Sequence, residues 1–370
     1  MPKIDPRDAA ESTATGDRFA PAIQILREAI SYGAFPGCAF GVWAGGEVVV
    51  EGALGGFTYE ESSPRVETAT VYDVASLTKV AATTAAAMLL VERGQLDIDT
   101  RLGEAIPGFV DGRGAHDRAC EITLRNLLAH NSGLPGYVEL FRNATTPDLL
   151  LDACLKLRLE AEPGTRAEYS DPGFILLGKA LEAVTGEGLA HWTGREVFST
   201  LGMSATQFCP ASDIRNAIAP SEEDRSFRHR RIQGEVQDEN AWVLGGVAGH
   251  AGLFSNVPDL LRFAAAIIES GAKPSLFAER TVRQFSQRQA PGGSSRALGW
   301  DTPSTVSSSG QRFSPRSIGH LGYSGCSLWI DLEASVAVVL LTNRTWPDRK
   351  SQLIRQVRPA FHDAVRAGLG

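Results

Sequence analysis

The sequence is poor in cysteine and has no excess of positive charge. Its 5 cysteines among 370 residues form neither a CxxC pair nor a zinc-ligand spacing. We therefore expect free, buried thiols in a reducing compartment. The net charge of -7 argues against nucleic acid or an anionic membrane surface as a partner. Both absences disfavour a disulfide scaffold, a zinc module and a nucleic-acid-binding protein.

Long hydrophobic runs are also missing. No uninterrupted apolar run approaches the about 18 residues that a membrane-spanning helix needs. The segment at 334–341, considered as a candidate span, predicts a core strand instead, so we expect no membrane partner. The first twenty residues contain no apolar segment and no cleavage-site pattern. We therefore expect a flexible N-terminus over 1–18, no signal peptide and a cytoplasmic protein.

Several common catalytic motifs do not occur in the chain. There is no G-x-S-x-G, no HExxH, no Walker loop and no dinucleotide fingerprint after a strand. The segment GYSGC at 322–326 only approaches the first of these. These absences disfavour a conventional Ser-His-Asp hydrolase, a zinc protease and a nucleotide-dependent enzyme. We expect neither a metal nor an organic cofactor.

The two ends of the chain have the patterns of strands and amphipathic helices. Pro21 opens a predicted helix, and residues 38–56 predict two strands around a glycine turn. Residues 326–343 predict a second hairpin, whose second strand is apolar throughout, as expected for a strand covered on both faces. A helix follows at the C-terminus, and we expect Pro359 to kink or break it.

The middle of the chain is mainly helical. Helical patterns occur at 77–93, 123–129, 147–158, 172–185, 189–200 and 257–270. We predict an α+β fold in which both chain ends form an antiparallel sheet, flanked by the terminal helices, with a mostly helical subdomain inserted. The predicted α/β subdomain spans 19–75 and 295–370, and the helical subdomain spans 76–294. A ligand site is expected in the cleft between them.

Ser76 and Lys79 stand three positions apart at the start of the apolar stretch 77–93. Residues at this spacing share a helix face, so the hydroxyl and the amine can meet. A serine hydroxyl needs a base to become a good nucleophile, and burial shifts a lysine towards its neutral form. Alternatively, Ser76 only caps the helix. The same spacing recurs at Ser270 and Lys273, so these residues alone leave both interpretations open.

Two further short segments combine residues that can do chemistry. Tyr169 lies on a predicted turn just ahead of a helix, where a phenol can project into a cleft. In the same turn, Asp171 has the ordinary alternative role of a capping residue. The second segment is HLG at 320–322, which runs into a predicted strand. Another His-x-Gly at 250–252 predicts a structural loop.

In chain order, these segments resemble the three motifs of serine β-lactamases and penicillin-binding proteins. The matching segments are S-x-x-K at 76–79, Y-x-D at 169–171 and H-x-G at 320–322. The resemblance is strongest to the class C β-lactamase-like branch, which includes carboxylesterases, D-aminopeptidases, DD-peptidases and acyltransferases. Supporting stretches lie at 124–137, 238–264 and 322–344. The resemblance covers residues 20–366, and it implies the α+β fold of that superfamily.

The resemblance also implies a role for each matching residue. Ser76 would be the acylated nucleophile, and Lys79 and Tyr169 would share the general-base and general-acid work. The backbone N–H groups of Ser76 and Tyr323 would form the oxyanion hole. The substrate-binding residues would be Asp171, His320 and Gly322.

Two departures from the family's pattern bear on the substrate. The family's β-lactamases have asparagine at the position of Asp171, and an amide can donate a hydrogen bond where a carboxylate only accepts. An ionised Asp171 would also keep Lys79 charged, which moves the base role towards Tyr169. The third motif of lactamases is Lys-Thr-Gly, whereas the segment at 320–322 has a histidine that is weakly charged or uncharged at neutral pH.

These departures favour a neutral ester or amide over an anionic β-lactam, unless Arg312 or Arg316 supplies the missing cation. A carboxylesterase with a small-molecule substrate is therefore the main prediction. The alternatives are a β-lactamase, a D-Ala-D-Ala carboxypeptidase or a D-aminopeptidase. An acyltransferase and a non-catalytic penicillin-binding-like protein also stay open, and the sequence does not determine the oligomeric state.

Overall fold

The structure, a computed structural model, describes residues 16–114, 116–272 and 275–370. Most of the predicted flexible N-terminus, namely 1–15, lies outside the described residues, as does Lys273 of the second Ser-x-x-Lys spacing. Residues 16–18 belong to a 3-10 turn at Gly16–Phe19. The predicted subdomain boundaries stay a prediction.

The described residues form helices and strands in the following order. The helices are α1 (Ala20–Ser31), α2 (Ala85–Glu92), α3 (Leu102–Ala105), α4 (Leu124–Leu128), α5 (Pro147–Leu155), α6 (Asp171–Thr185), α7 (Leu189–Thr193), α8 (Glu239–Val243), α9 (Val257–Ile268), α10 (Glu279–Phe285) and α11 (Ile354–Leu369). The strands are β1 (Gly37–Ala44), β2 (Glu47–Gly55), β3 (Tyr72–Asp73), β4 (Gln207–Phe208), β5 (Glu222–Asp224), β6 (Arg230–Ile232), β7 (Leu253–Ser255), β8 (Ser317–Leu321), β9 (Ser327–Asp331) and β10 (Val336–Thr342).

The main sheet is built from both ends of the chain. Its five antiparallel strands have the order β2-β1-β10-β9-β8. The N-terminal strand β1 pairs with β10, so that Cys38 lies opposite Thr342 and Ala44 lies opposite Val336. This topology confirms the predicted α+β fold. Strand β8 forms one edge of the sheet and carries His320.

Strand β10 is covered on both faces, as its continuous apolar run predicted. Val338 and Leu340 pack in a cluster with the apolar sides of α1 and α11. Val339 and Leu341 pack in the larger cluster, which includes α9 and the inserted helices. Burying one such side chain fully stabilises the fold by about 1.5–3 kcal/mol. An all-apolar strand is therefore what a position between two layers favours.

Of the two outcomes expected at Pro359 in the C-terminal helix, a break is wrong. Helix α11 is continuous from Ile354 to Leu369, so Pro359 does not break it. The Val357 N–H already bonds to the Leu353 carbonyl, so Pro359 lies beyond the first turn and its missing N–H costs the helix one hydrogen bond. Phe361 and Val365 beyond it are buried, and their packing holds the rest of the helix in place.

The segment that begins at Ser76 is helical up to Glu92 but changes form on the way. A 3-10 turn at Ala75–Leu77 is followed by a π-helical segment at Lys79–Thr84 and then by α2. This is the one helical stretch, among the described residues, with the length and composition of a membrane span, and most of it is buried inside the protein. Counting uninterrupted apolar residues did not identify this stretch as a possible span, because polar residues interrupt it.

The cysteines are only partly as expected. All five are free, and Cys38, Cys154 and Cys326 are buried. Cys120 is partly exposed and Cys209 is exposed, so the expectation of buried thiols is wrong for these two. The periodicity of helices and strands could not predict the exposure of these two cysteines, because both lie outside the regular helices and strands.

Candidate active site

Ser76 lies at the mouth of the central helical segment, immediately after strand β3. The Asp73 carboxylate accepts hydrogen bonds from the N–H groups of Ala75, at 2.8 Å, and Gln237, at 2.7 Å. Ala75 has a φ of 48°, which is uncommon for a residue with a side chain and costs about 1–3 kcal/mol. Two bonds to one buried carboxylate therefore hold the strained turn that precedes Ser76.

Lys79 is completely buried and has an acceptor for each N–H of its ammonium group. Its Nζ donates to Asp171 Oδ1 at 2.7 Å, to Ser76 Oγ at 3.0 Å and to the His250 carbonyl at 3.0 Å. Burial alone would lower the pKa of Lys79, but the Asp171 carboxylate and Tyr169 outweigh it and raise the pKa. The expectation that burial neutralises this lysine is therefore wrong. The other expectation, that Asp171 keeps it charged, agrees with the geometry.

Tyr169 completes the group around the serine. Its hydroxyl donates to Ser76 Oγ at 2.7 Å. Burial raises the pKa of Tyr169, and although the Lys79 cation lowers it in part, the net direction is upward. The phenol is therefore protonated at neutral pH. Ser76 Oγ accepts from two donors in this state, so catalysis requires proton movement within the group.

Ser170 and Asp171 have different roles at the start of helix α6. Ser170 Oγ caps the helix by accepting from the Gly173 N–H at 3.1 Å, and it donates to the Pro135 carbonyl at 2.7 Å. Asp171 makes the salt bridge to Lys79 instead of a cap. The interpretation of Asp171 as an ordinary capping residue is therefore wrong.

His130 fixes the turn that carries Tyr169. Its carbonyl accepts from the Glu168 N–H at 2.7 Å, its Nδ1 accepts from the Ser170 N–H at 3.0 Å, and its ring packs 4.6 Å from the Tyr169 ring. Burial, with the nearby cations, lowers the pKa of His130 well below 6.5, so Nδ1 stays an acceptor. The sequence analysis missed this residue, which lies in the stretch 124–137 that supported the resemblance.

The loop at 250–252 belongs to the site, although its pattern predicted only a structural role. The His250 carbonyl accepts from Lys79, and the His250 ring pairs through Nε2 with Asp238 Oδ1 at 2.9 Å. Thr83, one turn along the central helix, donates to the Gly249 carbonyl at 2.7 Å. The loop therefore supplies one of the three acceptors of the Lys79 ammonium.

His320 lies beside Tyr169 but carries no charge. Its ring centroid is 5.9 Å from that of Tyr169, and its Nδ1 donates to the Leu321 carbonyl at 2.8 Å. Burial, followed by the Lys79 and Arg296 cations, lowers the pKa of His320 well below 6.5. The third motif therefore supplies no cation at neutral pH.

Gly322 lies where two backbone segments touch. A Cβ at this position would collide with the carbonyl oxygen of Val74, just ahead of Ser76. Ser324 Oγ donates to the Asp73 carbonyl at 2.7 Å, which ties the turn after β8 to the same segment. The glycine is thus required by the close approach of the two chains, whatever its contact with a substrate.

The two N–H groups of the predicted oxyanion hole lie on these two touching segments. Neither the Ser76 nor the Tyr323 N–H donates to a protein acceptor within the described residues, as an oxyanion hole requires. The Tyr323 side chain is half exposed and stacks on the Arg344 guanidinium at 4.3 Å. The Tyr323 N–H can therefore bind an oxyanion while the Tyr323 ring packs on Arg344.

The cations proposed to replace the missing lysine lie elsewhere. The Arg312 N–H donates to Asp363 of α11 at 3.0 Å, which places this residue by the terminal helices. Arg316 is exposed and lies in the turn just before β8. Besides Lys79, whose Nζ lies 4.8 Å from the centroid of the Tyr169 ring, the cation next to this ring is Arg296, which the sequence analysis did not single out.

Comparisons with known proteins identify the family of the chain. A model of the Beta-lactamase family matches residues 22–359. The chain is 30% identical to the N-acetylmuramyl-L-alanine amidase of Bacillus subtilis over 353 residues, which are 87% of this chain and 80% of that protein. It is 31% identical over 306 residues to a putative D-alanyl-D-alanine carboxypeptidase of Salmonella paratyphi B, covering 76% of this chain and 71% of the relative.

A similar fold is found in the class C β-lactamase from Rhodobacter sphaeroides. The TM-score is 0.72 at 22% sequence identity, and the match covers 95% of this chain and 99% of that structure. The family model spans nearly the whole chain, and the neighbouring structure has a similar fold. On these grounds, the chain belongs to the Beta-lactamase family.

Proposed function

We propose that the protein is a serine hydrolase that cleaves small esters or amides through an acyl-enzyme on Ser76. One observation carries the proposal: Lys79 Nζ and Tyr169 OH lie 3.0 and 2.7 Å from Ser76 Oγ, within the reach that proton transfer needs. A non-catalytic binding protein has no need for a buried amine and a buried phenol on one hydroxyl.

In the proposed acylation step, Ser76 Oγ attacks the carbonyl carbon of the substrate. Because Lys79 and Tyr169 both carry their protons, Tyr169 must give its proton to the leaving group as it takes up the serine proton, so that the pair ends with the protons it began with. The N–H groups of Ser76 and Tyr323 stabilise the negative charge on the carbonyl oxygen. Water then attacks the acyl-enzyme, and the same groups return the proton to Ser76.

A carboxylesterase is the first candidate for the substrate class. The Asp171 carboxylate is occupied by Lys79 and has no hydrogen to donate to the amide carbonyl of a β-lactam. His320 is uncharged at neutral pH, so the third motif offers nothing to a β-lactam carboxylate. Both observations support an ester over a β-lactam. The proposal includes a small-molecule substrate, no nucleic-acid or membrane partner and a cytoplasmic location.

An amidase or peptidase is the second candidate. An amine leaves only after protonation, whereas an activated ester needs little help. The raised pKa of Tyr169 keeps a proton next to Ser76 Oγ, which supports amide cleavage. The names of the two relatives, an amidase and a carboxypeptidase, point in the same direction. In an acyltransferase, an alcohol or amine would replace water in the second step.

Intact mass spectrometry tests the proposal. Wild type, Ser76→Ala and the exposed control Ser304→Ala would each be incubated with a fluorophosphonate, a p-nitrophenyl ester, nitrocefin and a D-Ala-D-Ala peptide. We expect an adduct and ester turnover in wild type and Ser304→Ala, and neither in Ser76→Ala. An added alcohol that diverts the acyl group would identify acyl transfer. No adduct in wild type with any probe would favour the non-catalytic interpretation.

A further inference from the structure

We propose that Arg358 of helix α11 is a positioning residue that orients and polarises the peptide group of the oxyanion hole, an inference that rests on the proposed function. Arg358 Nη2 donates to the Gly322 carbonyl at 2.6 Å and to the Cys326 carbonyl at 2.7 Å. The Gly322 carbonyl and the Tyr323 N–H belong to one peptide group. The guanidinium therefore binds one end of the group whose other end is the predicted oxyanion donor.

The geometry of this peptide links its two ends. The bond between Gly322 and Tyr323 is trans, so the N–H points away from the C=O. Because the carbonyl points at the guanidinium, the Tyr323 N–H points away from Arg358. The segment that leads to Ser76 touches the same peptide, since the Val74 carbonyl lies where a Gly322 Cβ would be. A rotation of the peptide would turn its N–H out of the site, and the contact with Arg358 opposes that rotation.

The carbonyl groups of this turn are held by donors, while one N–H stays available. The Gly322 carbonyl also accepts from the Gly325 N–H at 3.0 Å, and the Cys326 carbonyl accepts from the Gly322 N–H at 2.7 Å. The Tyr323 carbonyl accepts from Arg344 Nε at 2.8 Å. The Tyr323 N–H has no protein acceptor in the described parts of the chain. The turn is therefore fixed through its acceptors and keeps a donor for a ligand.

Arg358 is a buried cation that lacks a carboxylate partner. Among the described residues, no Asp or Glu pairs with it, and its Nε is buried without an acceptor. Burial lowers the pKa of Arg358 to about 10, so the guanidinium stays charged at neutral pH. By contrast, Arg366 of the same helix pairs with Asp331 at 3.6 Å. Burying an unpaired charge destabilises a fold, and a neutral amide could also tie α11 to the turn. We therefore assign the charge a role in catalysis.

A cation at the oxygen of a peptide strengthens the hydrogen bond that its N–H donates. The charge draws electron density towards the carbonyl oxygen, which makes the N–H hydrogen more positive, and hydrogen bonds in a chain reinforce one another. The negative charge on the substrate oxygen is largest in the transition state. Arg358 should therefore stabilise this state more than the bound substrate, with an effect on kcat rather than on KM.

Three substitutions separate the charge of Arg358 from its hydrogen bonds. Arg358→Lys keeps the charge, Arg358→Gln keeps a donor without the charge, and Arg358→Met keeps neither. On a p-nitrophenyl ester, we expect kcat to fall about 3-fold, about 10-fold and about 100-fold in this order, with little change in KM. The matched control is Arg366→Gln, which removes an arginine that binds Asp331 of β9, and it should keep the wild-type kcat.

A pair of inhibitors distinguishes polarisation from a purely structural contact. Phenylboronic acid forms a tetrahedral anion on Ser76, whereas benzamide binds as a neutral, planar molecule. In Arg358→Gln, we expect the inhibition constant of phenylboronic acid to rise about 10-fold and that of benzamide to stay close to wild type. Arg358→Lys should keep most of the affinity for the boronic acid. An inhibition constant does not depend on enzyme concentration, so partial unfolding of a variant leaves the comparison valid.

Labelling of Ser76 by a fluorophosphonate counts the active sites and separates two kinds of failure. Suppose that wild type is labelled and cleaves the ester, but that both inhibition constants shift equally in Arg358→Gln. This result would overturn the role of Arg358 and leave the proposed function standing. A loss of kcat in Arg366→Gln as large as in Arg358→Gln would do the same. A wild type that is never labelled would contradict the proposed function and this inference with it.

Discussion

The candidate active site has two sides that are built differently. On the helix side, the Lys79 ammonium has three acceptors, and the turn at Tyr169 is held by the backbone and ring of His130. On the β8 side, the Nε2 of His320 is buried without a partner in the described structure, and Arg296 has only a loose ion pair. A saturated network fixes the atoms that move protons, whereas unused donors remain available for a substrate. We therefore predict that the helix side determines the reaction and that the β8 side determines which substrate is recognised.

The largest effect is expected from breaking the helix side at Lys79. Lys79→Met should lower kcat/KM on a p-nitrophenyl ester by about 1,000-fold, because the proton relay is lost. It should also lower the free energy of unfolding by about 3–5 kcal/mol, because Asp171 keeps a largely buried charge without a partner. Urea denaturation and initial rates measure the two effects.

The double variant Lys79→Met/Asp171→Asn separates stability from catalysis. Removing both charges should restore most of the free energy of unfolding and none of the activity. A double variant as unstable as the single one would contradict the assignment of the salt bridge, and an active one would contradict the role of Lys79.

The β8 side is broken most directly at Gly322. Gly322→Ala places a methyl group against the Val74 carbonyl, so the turn with the Tyr323 N–H must move away from Ser76. We expect kcat to fall by about 100-fold, as for the loss of one oxyanion donor, with a smaller change in KM. The control is Gly292→Ala, where a Cβ meets no atom. Similar kinetics for the two variants would count against this oxyanion hole.

A smaller effect is expected from loosening Tyr169 through His130. His130→Ala removes the acceptor for the Ser170 N–H and strains a backbone whose φ is 54°. His130→Asn keeps an acceptor and tolerates that φ. With aryl esters of rising leaving-group pKa, His130→Ala should lose about 10-fold more on the poorest leaving group than on the best, since proton donation matters most there. An equal loss on all esters would mean that His130 only stabilises the fold.

The smallest change in rate is expected from Asp171→Asn, which tests what sets the charge of Lys79 on the helix side. Asp171→Asn removes the carboxylate that raises the pKa of Lys79, so burial should lower this pKa and move the rising limb of the kcat profile to lower pH. In wild type, the raised pKa of Lys79 stabilises the fold below about pH 10.4, and this contribution is lost as the pH rises through the raised value. Values of kcat between pH 5 and 11 measure the shift of the rising limb, and the free energy of unfolding over the same range measures the contribution to stability. An unmoved limb would assign the base role to Tyr169 alone.

The long elements of the fold could be predicted because their patterns are strong. The glycine turn between β1 and β2, the apolar run of β10 and the spacing in α1 each indicate an element. The short elements, such as β3 and β7 on either side of the Ser76 turn, have two or three residues and no measurable period. The five-residue strand β8 follows a polar loop, so His320 was expected beside a strand and lies within one.

The roles of single residues could likewise be predicted only where a local sequence pattern indicates them. Ser76 and Lys79 could be paired from their spacing on one helix face, whereas His130 and Arg296 have no local pattern that connects them to Tyr169. Asp171 looked like a cap because it stands at a helix start, and only the contact with Lys79 assigns it another role. The catalytic and substrate-binding roles of these residues stay predictions until the variants above are measured.

The sequence alone determined the fold class and the approach of Ser76 to Lys79, since these depend on periodicity and on neighbours along the chain. It also indicated the family, because its three motifs resemble those of known members. The tertiary structure decided that Lys79 is charged, that Ser170 caps α6 in place of Asp171, and that a second cation beside Tyr169 comes from a loop before β8. The physical reason is distance: a pKa and an ion pair depend on a few ångströms between atoms whose residues lie 92 and 171 positions apart in the chain.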